Sequence, residues 1–434
     1  MHIKNYDEAL QYIHGRSRFK KTPTLSRMKF LAEKLGNPQN NFKTLHVTGT
    51  NGKGSTTAFL RELLRGQGFT VGTFTSPYIT RFNERISVDG KMISDDEIVR
   101  LVNIVYPIVQ EMDEIGMCST EFEIITTMMF VYFGERHADY VVVEVGMGGL
   151  YDSTNIITPL VSVITTVALD HSQWLGDSIS QIAYQKAGII KKKIPIVVGR
   201  VPNEAYDVIK NIALEKDADL YCLNNDFSTQ ALSQKKEWGE FFNYRFQQIN
   251  YKNLCTGLLG AFQIDNAACA LTAFLIVARK EKFIVQINDI RKALMNTKWP
   301  GRFEKINSEP LIVLDGAHNV AAIEKIQKLL RQKFKQQKIY VLLAILADKK
   351  STEMIEKLSE LSNTELIITS FDGPRKVTDL EDIKQTFPEI KSMSVWQEAF
   401  LKIVKGMSAE DMLLITGSLY FISEVRNYFL DSGE

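Results

Sequence analysis

The sequence predicts an α/β protein with a mostly parallel sheet in its first part and a second strand–helix series after residue 297. Three observations predict this class. Short β-branched runs alternate with helical patterns through the first half, as in a parallel sheet covered on both faces. A glycine-rich heptapeptide at residues 49–55 lies between an apolar run and a helical pattern. Helical periodicity stops at Pro300-Gly301, after which strands and helices resume. We therefore expect two domains, at residues 1–297 and 298–434.

The individual elements follow from the same periodicities. In the first domain the patterns predict strands at 44–48, 70–75, 140–145, 161–167 and 194–198, and helices at 55–65, 95–112, 121–134, 178–187 and 266–279. Alternating aromatic residues between 227 and 250 predict a small antiparallel patch. In the second domain we expect strands at 311–314, 339–346, 366–369 and 412–415, with a helix starting at Val320.

Composition is that of an ordinary soluble globular protein, with 45% hydrophobic and 24% charged residues. A formal net charge of +1 gives no overall field for nucleic acid or an anionic membrane. The four cysteines, Cys118, Cys222, Cys255 and Cys269, have no CxxC spacing, so we expect free thiols. No signal peptide is visible, and no run approaches the roughly 18 apolar residues of a membrane span. These features predict a cytoplasmic protein that binds neither nucleic acid nor membrane.

The heptapeptide Gly49-Thr50-Asn51-Gly52-Lys53-Gly54-Ser55 lies between a strand and a helix. In that position backbone N–H groups and a helix N-terminus can hold phosphate, and glycines allow close approach. The Lys53 ammonium would reach the β- and γ-phosphates, and the Ser55 or Thr56 hydroxyl would face magnesium. The spacing differs from the Walker pattern, because two residues separate Gly49 from Gly52 and Gly54 divides Lys53 from Ser55. A turn that binds nothing is the alternative, but the context favours a nucleoside triphosphate site.

Polar residues follow the predicted strands, where open α/β sheets place ligands. Glu144 ends a valine run before a glycine-rich turn, Asp170-His171 follows the next strand, and Lys186 lies late in a helix. Singly, they could be a helix cap, a loop histidine and a surface lysine. Together, after a phosphate loop, they indicate a metal-dependent site.

Eight motifs then occur in order between residues 46 and 420: HVTGTNGKGS, FTSPYITRFNERI, VEVGMGGLYDSTN, ALDH, QKAGI, PGRFE, DGAHN and ITGSLY. This series resembles the folylpolyglutamate synthase and dihydrofolate synthase family, the folate branch of the Mur ligase superfamily. The resemblance implies an N-terminal P-loop domain and a C-terminal Rossmann-like α/β domain. It also implies an ATP-dependent amide ligase, which activates a carboxylate as an acyl phosphate before an amine attacks it.

The resemblance further implies which residues bind nucleotide and metal. Two magnesium ions are expected, with a monovalent cation as a further candidate. Lys186 matches the family lysine that CO2 converts to a carbamate, which serves as an oxygen ligand. The implied ATP contacts are Thr50, Asn51, Gly52, Lys53, Gly54, Ser55, Asn266, Arg302 and Asp315, and the implied metal ligands are Ser76, Glu144, His171 and carbamylated Lys186.

Other residues are assigned to catalysis and substrate by the same motifs. The resemblance implies that Lys53, Lys186, Asp315 and His318 take part in catalysis, and that His318 and Ser418 position L-glutamate. The loop at 76–84 would shape the folate site, with Tyr78 or Phe82 stacking on the pterin and Arg85 beside them. The expected partners are therefore ATP, L-glutamate and a folate, bound by a monomer.

Two departures and three rivals bear on the reaction. Many members have Gly-Gly-Arg-Leu-Asp where this chain has Leu150-Tyr151 before Asp152, and Glu-Lys-Ala-Gly where it has Gln185. The missing arginine weakens the case for dihydropteroate, so we expect folylpolyglutamate synthesis, with dihydrofolate synthesis as a second or alternative activity. A cell-wall Mur ligase needs a further domain before the P-loop, for which we expect too few residues. A non-ligase P-loop NTPase would not need Asp315 and His318.

Overall fold

The computed structural model describes residues 2–17, 24–233, 238–373 and 375–431. The chain divides into two compact units. The first contains residues 1–232, 241–256 and 264–297, and the second contains residues 233–240, 257–263 and 298–434. Both are α/β, so the predicted fold class is confirmed.

The segment up to residue 297 starts with two helices and ends with two helices, and strands and further helices alternate between them. The helices are α1 (Tyr6–His14), α2 (Ser26–Lys34), α3 (Lys53–Arg65), α4 (Asp95–Glu114), α5 (Glu121–Gly134), α6 (Ser172–Leu175), α7 (Ile179–Ala187), α8 (Asn203–Glu215), α9 (Ala261–Glu281) and α10 (Ile287–Asn296). The strands are β1 (Lys43–Thr48), β2 (Val71–Phe74), β3 (Ile86–Val88), β4 (Lys91–Met92), β5 (Tyr140–Glu144), β6 (Val161–Ile164), β7 (Ile196–Val198), β8 (Leu220–Cys222), β9 (Phe227–Leu232), β10 (Glu240–Phe246) and β11 (Ile249–Thr256).

Eight of these strands form one sheet in the order β4-β3-β2-β5-β1-β6-β7-β8. The strands from β2 to β8 in this order are all parallel to their neighbours, whereas β3 is antiparallel to both β2 and β4. Five of the six residues of β1 are buried, as the near-continuous apolar runs predicted. Because β1 is central and leads into the phosphate loop, the loop lies at the carboxyl edge of the sheet beside the ends of β5 and β6.

Several predicted strands are shorter in the structure, among them the strand predicted at 339–346, which ends at Leu343. The predicted strand 161–167 ends at Ile164: the Thr165 N–H still donates to the carbonyl of Thr48, but the next backbone bond is made by the carbonyl of Thr166 to Thr50 in the phosphate loop. Asp170-His171 therefore lies in a loop beyond the strand. The predicted strand 194–198 begins only at Ile196, since Pro195 has no N–H to donate.

The antiparallel patch predicted between 227 and 250 is confirmed as the sheet β11-β10-β9. The helix predicted at 266–279 is longer, and α9 is long and apolar enough to cross a membrane by length and composition. The prediction that no run of the sequence approaches the apolar length of a membrane span was therefore wrong. Within the described residues, 78% of its apolar window is buried inside the protein, as in a core helix.

The second unit has its own mostly parallel sheet, in the order β12-β13-β17-β14-β15-β16, with only β12 antiparallel. Two apolar clusters cover its two faces. Its elements are β12 (Glu304–Ser308), β13 (Leu311–Leu314), α11 (Val320–Lys333), β14 (Ile339–Leu343), α12 (Ser351–Ser359), β15 (Thr364–Thr369), α13 (Leu380–Thr386), β16 (Lys391–Met393), α14 (Trp396–Gly406), β17 (Met412–Thr416) and α15 (Leu419–Asp431).

Candidate active site

The phosphate loop is held by the residues that follow β6. The N–H of Thr50 donates to the carbonyl of Thr166 at 2.9 Å, and the hydroxyl of Thr165 donates to the carbonyl of Asn51 at 2.6 Å. Gly52 has φ +92°, and a Cβ there would lie 2.4 Å from Oδ1 of Asn266. Asn266, in α9, is therefore brought to the loop. The space between Gly52 and Asn266, called the Gly52 cradle below, has no room for a side chain at position 52.

Lys53 begins α3 and points its ammonium back over the loop. Its Nζ donates to the carbonyl of Gly49 at 2.9 Å and lies 3.4 Å from that of Thr50. Gly54 and Ser55 follow in the first turn and are buried. The buried Oγ1 of Thr56 has no hydrogen-bond partner in the described part of the chain. The loop thus presents an ammonium, a helix N-terminus and an unsatisfied hydroxyl, which are groups that suit a phosphate and its metal.

Ser76 and Glu144 are brought together where two neighbouring strands end. Ser76 follows β2, and its N–H lies 3.3 Å from Oε2 of Glu144, the last residue of β5. Glu144 is only 4% exposed. The Oγ of Ser76 is buried and has no hydrogen-bond partner within residues 24–233 or the other described ranges. A carboxylate beside an unsatisfied hydroxyl fits a hard cation, which favours oxygen ligands.

Lys186 lies in the last turn of α7 and is 2% exposed. Burial, together with the positive charge of nearby Lys53, lowers the pKa of Lys186 to about 7, against the opposing charge of Asp170. A large share of this lysine is therefore a neutral amine near neutral pH, which is the form that reacts with CO2. Asp170, which the sequence prediction named beside His171 without a separate role, is thus close enough for its charge to act on Lys186.

The segment after Glu144 connects it to Lys186. The N–H of Leu150 donates to the carbonyl of Gln185 at 2.7 Å, directly before Lys186. Asn155 donates from Nδ2 to the carbonyls of Leu150 and Gly188, at 3.0 Å each. The segment after β5 and the end of α7 are thus joined by hydrogen bonds.

His171 is placed differently from the other predicted metal ligands. It is exposed, has left-handed backbone geometry with φ 51°, and precedes α6. Across the residues that the structure describes, no group of three or more His, Cys, Asp or Glu side chains has the arrangement of a metal site. The groups buried at this edge of the sheet are the Ser76 hydroxyl, the Glu144 carboxylate and the Lys186 amine, whereas His171 is exposed.

The predicted folate loop is ordered by one carboxylate. Glu84 accepts hydrogen bonds from the backbone N–H groups of Ile79, Thr80 and Arg81. The guanidinium of Arg85 lies 5.0 Å from the ring centre of Tyr78 and 5.7 Å from that of Phe82. Phe82 is 3% exposed and belongs to the core, whereas Tyr78 is half-buried. Tyr78 is therefore the ring of the two that a ligand can reach in this conformation.

In the second unit, Asp315 is the centre of a compact backbone network. Its two oxygens accept from the N–H groups of Phe303 and Ala317, both at 2.8 Å. Burial raises the pKa of Asp315, and the charge of Arg302 and the two N–H donors oppose that rise. A Cβ at Gly316 would lie 2.7 Å from Nη1 of Arg302, so this guanidinium lies beside the turn after β13.

His318 and Ser418 lie at the ends of the neighbouring strands β13 and β17. Nδ1 of His318 lies 2.7 Å from the carbonyl of Gly316, so Nδ1 carries a proton and Nε2 of the neutral ring is an acceptor. The N–H of Gly417 donates to the carbonyl of Ala317 at 3.1 Å, which joins the two turns. The Oγ of Ser418 accepts from the N–H of Tyr420 at 3.2 Å. Arg302, Asp315, His318 and Ser418 thus form one group at this sheet edge.

Sequence reasoning missed the residues that support these side chains. The strand predicted at 161–167 includes Thr165 and Thr166, although two hydroxyls directly after an apolar run indicate the end of a strand. The motif that contains Asp152 gives no role to the side chain of this residue. Its carboxylate accepts from the N–H of Met147 at 3.0 Å and thereby shapes the turn after Glu144.

Two family models match the chain. Residues 47–274 match the Mur ligase middle domain, and residues 301–419 match the Mur ligase glutamate ligase domain. Among curated proteins, the dihydrofolate synthase/folylpolyglutamate synthase of Bacillus subtilis is 41% identical over 97% of this chain and 98% of its own. The folylpolyglutamate synthase of Lacticaseibacillus casei is 38% identical over 98% and 99%.

Solved structures agree with these matches. The apo form of the L. casei folylpolyglutamate synthase superposes with a TM-score of 0.88 at 37% identity, covering 98% of this chain and all of that one. A folylpolyglutamate synthase complex with AMPPCP and folate gives a TM-score of 0.86 at 37% identity with the same coverage. This chain therefore belongs to the folylpolyglutamate synthase and dihydrofolate synthase family of Mur ligases.

Proposed function

We propose that this chain is an ATP-dependent ligase that adds L-glutamate to a folate in γ-glutamyl linkage, forming ADP and phosphate. The single observation that carries this proposal is the full-length relation to enzymes named folylpolyglutamate synthase, one of them solved with AMPPCP and folate. The chemistry requires activation, since a carboxylate is a poor electrophile for an amine. Transfer of the γ-phosphoryl group to the folate carboxylate gives an acyl phosphate, which the glutamate amine then attacks with loss of phosphate.

The first unit would hold the nucleotide. Thr50, Asn51, Gly52, Lys53, Gly54 and Ser55 are the residues that would wrap its phosphates. The Gly52 cradle and the Lys53 ammonium support this role, because a Cβ would fill the first and the second already lies over the loop. Asn266, in contact with Gly52, is placed to meet the same phosphates. This arrangement fixes the nucleotide so that its γ-phosphate is presented for transfer.

Magnesium would be held at Ser76 and Glu144, supported by the unsatisfied Ser76 hydroxyl beside a buried carboxylate. When bound, magnesium neutralises phosphate charge and aligns the reacting oxygens. We further propose that Lys186 is carbamylated. An unmodified ammonium beside cations would be repelled, whereas a carbamate would add an anionic oxygen where the buried lysine now lies. Two magnesium ions, the second with His171 as a ligand after movement of its exposed loop, and a monovalent cation complete the proposed set.

The second unit would hold groups that act on nucleotide and glutamate. Arg302 supplies a guanidinium beside the turn that Asp315 fixes, and it suits a phosphate or carboxylate. The Nδ1–H of His318 is fixed by the Gly316 carbonyl, so its Nε2 can accept a proton from the glutamate ammonium. Ser418 lies in the adjoining turn and would orient the same substrate. We propose that this unit corresponds to a functional domain at residues 298–434, and that the protein is a cytoplasmic monomer without nucleic-acid or membrane partners.

The folate would lie against the 76–85 loop, with the half-buried Tyr78 beneath the pterin and Arg85 behind it. Phe82 would then support Tyr78 from the core, since their ring centres are 6.0 Å apart. Dihydrofolate synthesis is a second candidate activity, because the B. subtilis relative carries both names. A non-ligase NTPase is disfavoured by the match of residues 301–419 to a glutamate ligase domain.

The test is product analysis by mass. Purified protein incubated with ATP, magnesium, L-glutamate and a reduced folate should yield folates heavier by single glutamyl units, with ADP and phosphate in equal amounts. Omission of either folate or glutamate should stop ADP formation. Formation of AMP and pyrophosphate would exclude the acyl-phosphate route, and full ATP hydrolysis without either substrate would indicate an NTPase instead.

A further inference from the structure

A buried chain of hydrogen bonds links β1 to the segment that follows Glu144. His46, in the middle of β1, is fully buried, and its Nε2 lies 2.9 Å from Oγ1 of Thr154. That hydroxyl donates to Oδ1 of Asp152, which also accepts the Thr154 N–H at 3.0 Å. Oδ2 of Asp152 accepts the Met147 N–H at 3.0 Å. These hydrogen bonds therefore connect β1, the strand before the phosphate loop, to the turn that follows Glu144, the proposed metal ligand.

The direction of each bond is fixed by donor counting. A threonine hydroxyl has one hydrogen, and Thr154 gives it to the carboxylate, which can only accept when ionised. His46 must therefore donate from Nε2, and its Nδ1 is the bare nitrogen. Nδ1 is buried and has no partner within the residues that the structure describes. Because a second proton would find no acceptor there, the imidazole remains a neutral donor.

A second contact from β1 reaches the same turn. Oγ1 of Thr48, two residues after His46, donates to the carbonyl of Gly148 at 2.6 Å, and Thr48 is also fully buried. The turn then continues to Leu150, whose N–H is bonded to the carbonyl of Gln185 beside Lys186. One short segment is thus tied to β1 on one side and to the end of α7 on the other.

We propose that His46, Thr154 and Asp152 are positioning residues that keep Glu144 and Lys186 in register with the phosphate loop. The affinity of the nucleotide-bound protein for its divalent cation then depends on a side chain that touches neither the cation nor ATP. The proposal rests on the proposed function insofar as Glu144 and Lys186 are treated as metal ligands. Its mechanical part, the restraint on Met147, stands on the hydrogen bonds alone.

Thr154 offers the sharpest test, because Thr154→Val keeps the shape and removes the hydroxyl, while Thr154→Ser keeps the hydroxyl. Thr44→Val, on the same strand but outside the chain of bonds, is the matched control. Mn²⁺ binding is measured by electron paramagnetic resonance with AMPPCP present, and amide hydrogen exchange is measured at Met147. Loss of a hydrogen bond to a charged group should weaken Mn²⁺ binding about tenfold in Thr154→Val and speed exchange at Met147. Thr154→Ser and Thr44→Val should stay within about twofold of wild type, on the same reasoning.

Two results would overturn the proposal in different ways. A lower melting temperature in Thr154→Val, with wild-type Mn²⁺ affinity and wild-type exchange at Met147, would mean that the hydroxyl serves stability alone. Faster exchange at Met147 with unchanged Mn²⁺ affinity would keep the mechanical link and show that the cation does not bind where the proposed function puts it. If Thr154→Val does not fold, His46→Leu removes the outer donor and leaves the Thr154–Asp152 bond. It should then show the same two changes, smaller in size, and wild-type values in both would equally refute the proposal.

Discussion

The backbone N–H of Ser76 lies 3.3 Å from Oε2 of Glu144, while the hydroxyl of the same serine is buried and unpartnered in the described part of the chain. The two residues follow adjacent parallel strands, β2 and β5. A buried hydroxyl left without a partner costs free energy, so its retention beside a carboxylate indicates a ligand that supplies the missing interaction. The pair therefore has the character of a preformed half-site for a cation.

Replacing Glu144 with glutamine should separate charge from structure. Glutamine can still accept the Ser76 N–H through its oxygen, so the melting temperature should stay close to wild type. The lost charge should raise the magnesium concentration needed for ADP formation by at least the roughly 10–100-fold that loss of a supporting metal-site group costs. Glu114→Gln, at the exposed end of α4, is the control. An unchanged magnesium requirement in Glu144→Gln would remove this residue from the metal site.

Lys186 provides a test of the carbamate. Lys186→Ala should be inactive and should recover part of its activity with short carboxylic acids, which can enter the space left by the buried side chain and supply an anionic oxygen. Lys186→Arg keeps a positive charge but cannot be carbamylated in this way, so it should be inactive and should not respond to the acids. Activity is followed as ADP formation with folate and glutamate present. Wild-type activity in Lys186→Arg would rule out a carbamate.

Gly52 and Gly68 form a matched pair for the phosphate loop. Their φ angles are +92° and +87°, so alanine meets similar backbone strain of about 1–2 kcal/mol at each. Only at Gly52 would the new Cβ strike a neighbour, 2.4 Å from Oδ1 of Asn266, whereas nothing lies within 4 Å at Gly68. Gly52→Ala should weaken AMPPCP binding, measured by calorimetry. Gly68→Ala should lower the stability of the fold and leave the AMPPCP affinity unchanged. Equal affinities in the two variants would mean that the cradle does not hold phosphate.

His46 should make stability fall in acid. Burial, with a smaller contribution from the charge of Lys191, lowers the pKa of His46 from 6.5 to about 3. Between those values the unfolded chain binds a proton that the folded chain excludes, so stability is lost as pH falls below about 6.5, by up to about 1.4 kcal/mol per pH unit. Asp152 changes stability with pH in the opposite sense, because burial raises its pKa. Its contribution cancels when wild type is compared with a variant of His46, since both proteins contain Asp152.

His46→Gln removes this titration and keeps a side-chain donor. The difference in the free energy of unfolding between wild type and His46→Gln, measured by urea denaturation from pH 7 to pH 4, should therefore change with pH in favour of the variant. A constant difference across that range would show that His46 takes up its proton as readily in the folded state as in the unfolded state, and would contradict the lowered pKa.

Local patterns predicted most of the fold because the apolar periodicities of β1, β5 and α5 agree with their tertiary environment. They failed at the end of β6, where the strand stops at Ile164 and the hydroxyls of Thr165 and Thr166 donate to the carbonyl of Asn51 in the phosphate loop. The candidate site residues could be proposed from the resemblance. Their support could not, because the contact between Asn266 and Gly52, or between His46 and Thr154, joins segments far apart in the chain and depends on strand order.

The last prediction concerns which folate substrate dominates. A site for dihydropteroate must present its benzoate carboxylate to the γ-phosphate, whereas a site for folates must present a γ-carboxylate several bonds further from the ring. Leu150 stands where many family members have arginine, and its backbone is fixed on both sides, by Gln185 through its N–H and by Asn155 through its carbonyl. An arginine here would therefore differ from Leu150 in its side chain alone.

With ATP and labelled glutamate, the purified enzyme should extend a reduced folate with a higher kcat/KM than it shows for dihydropteroate. Leu150→Arg should raise the use of dihydropteroate, and Leu150→Gln, which adds length without charge, should not. Efficient use of dihydropteroate by the wild type, without extension of reduced folates, would reverse the assignment and make dihydrofolate synthesis the main reaction.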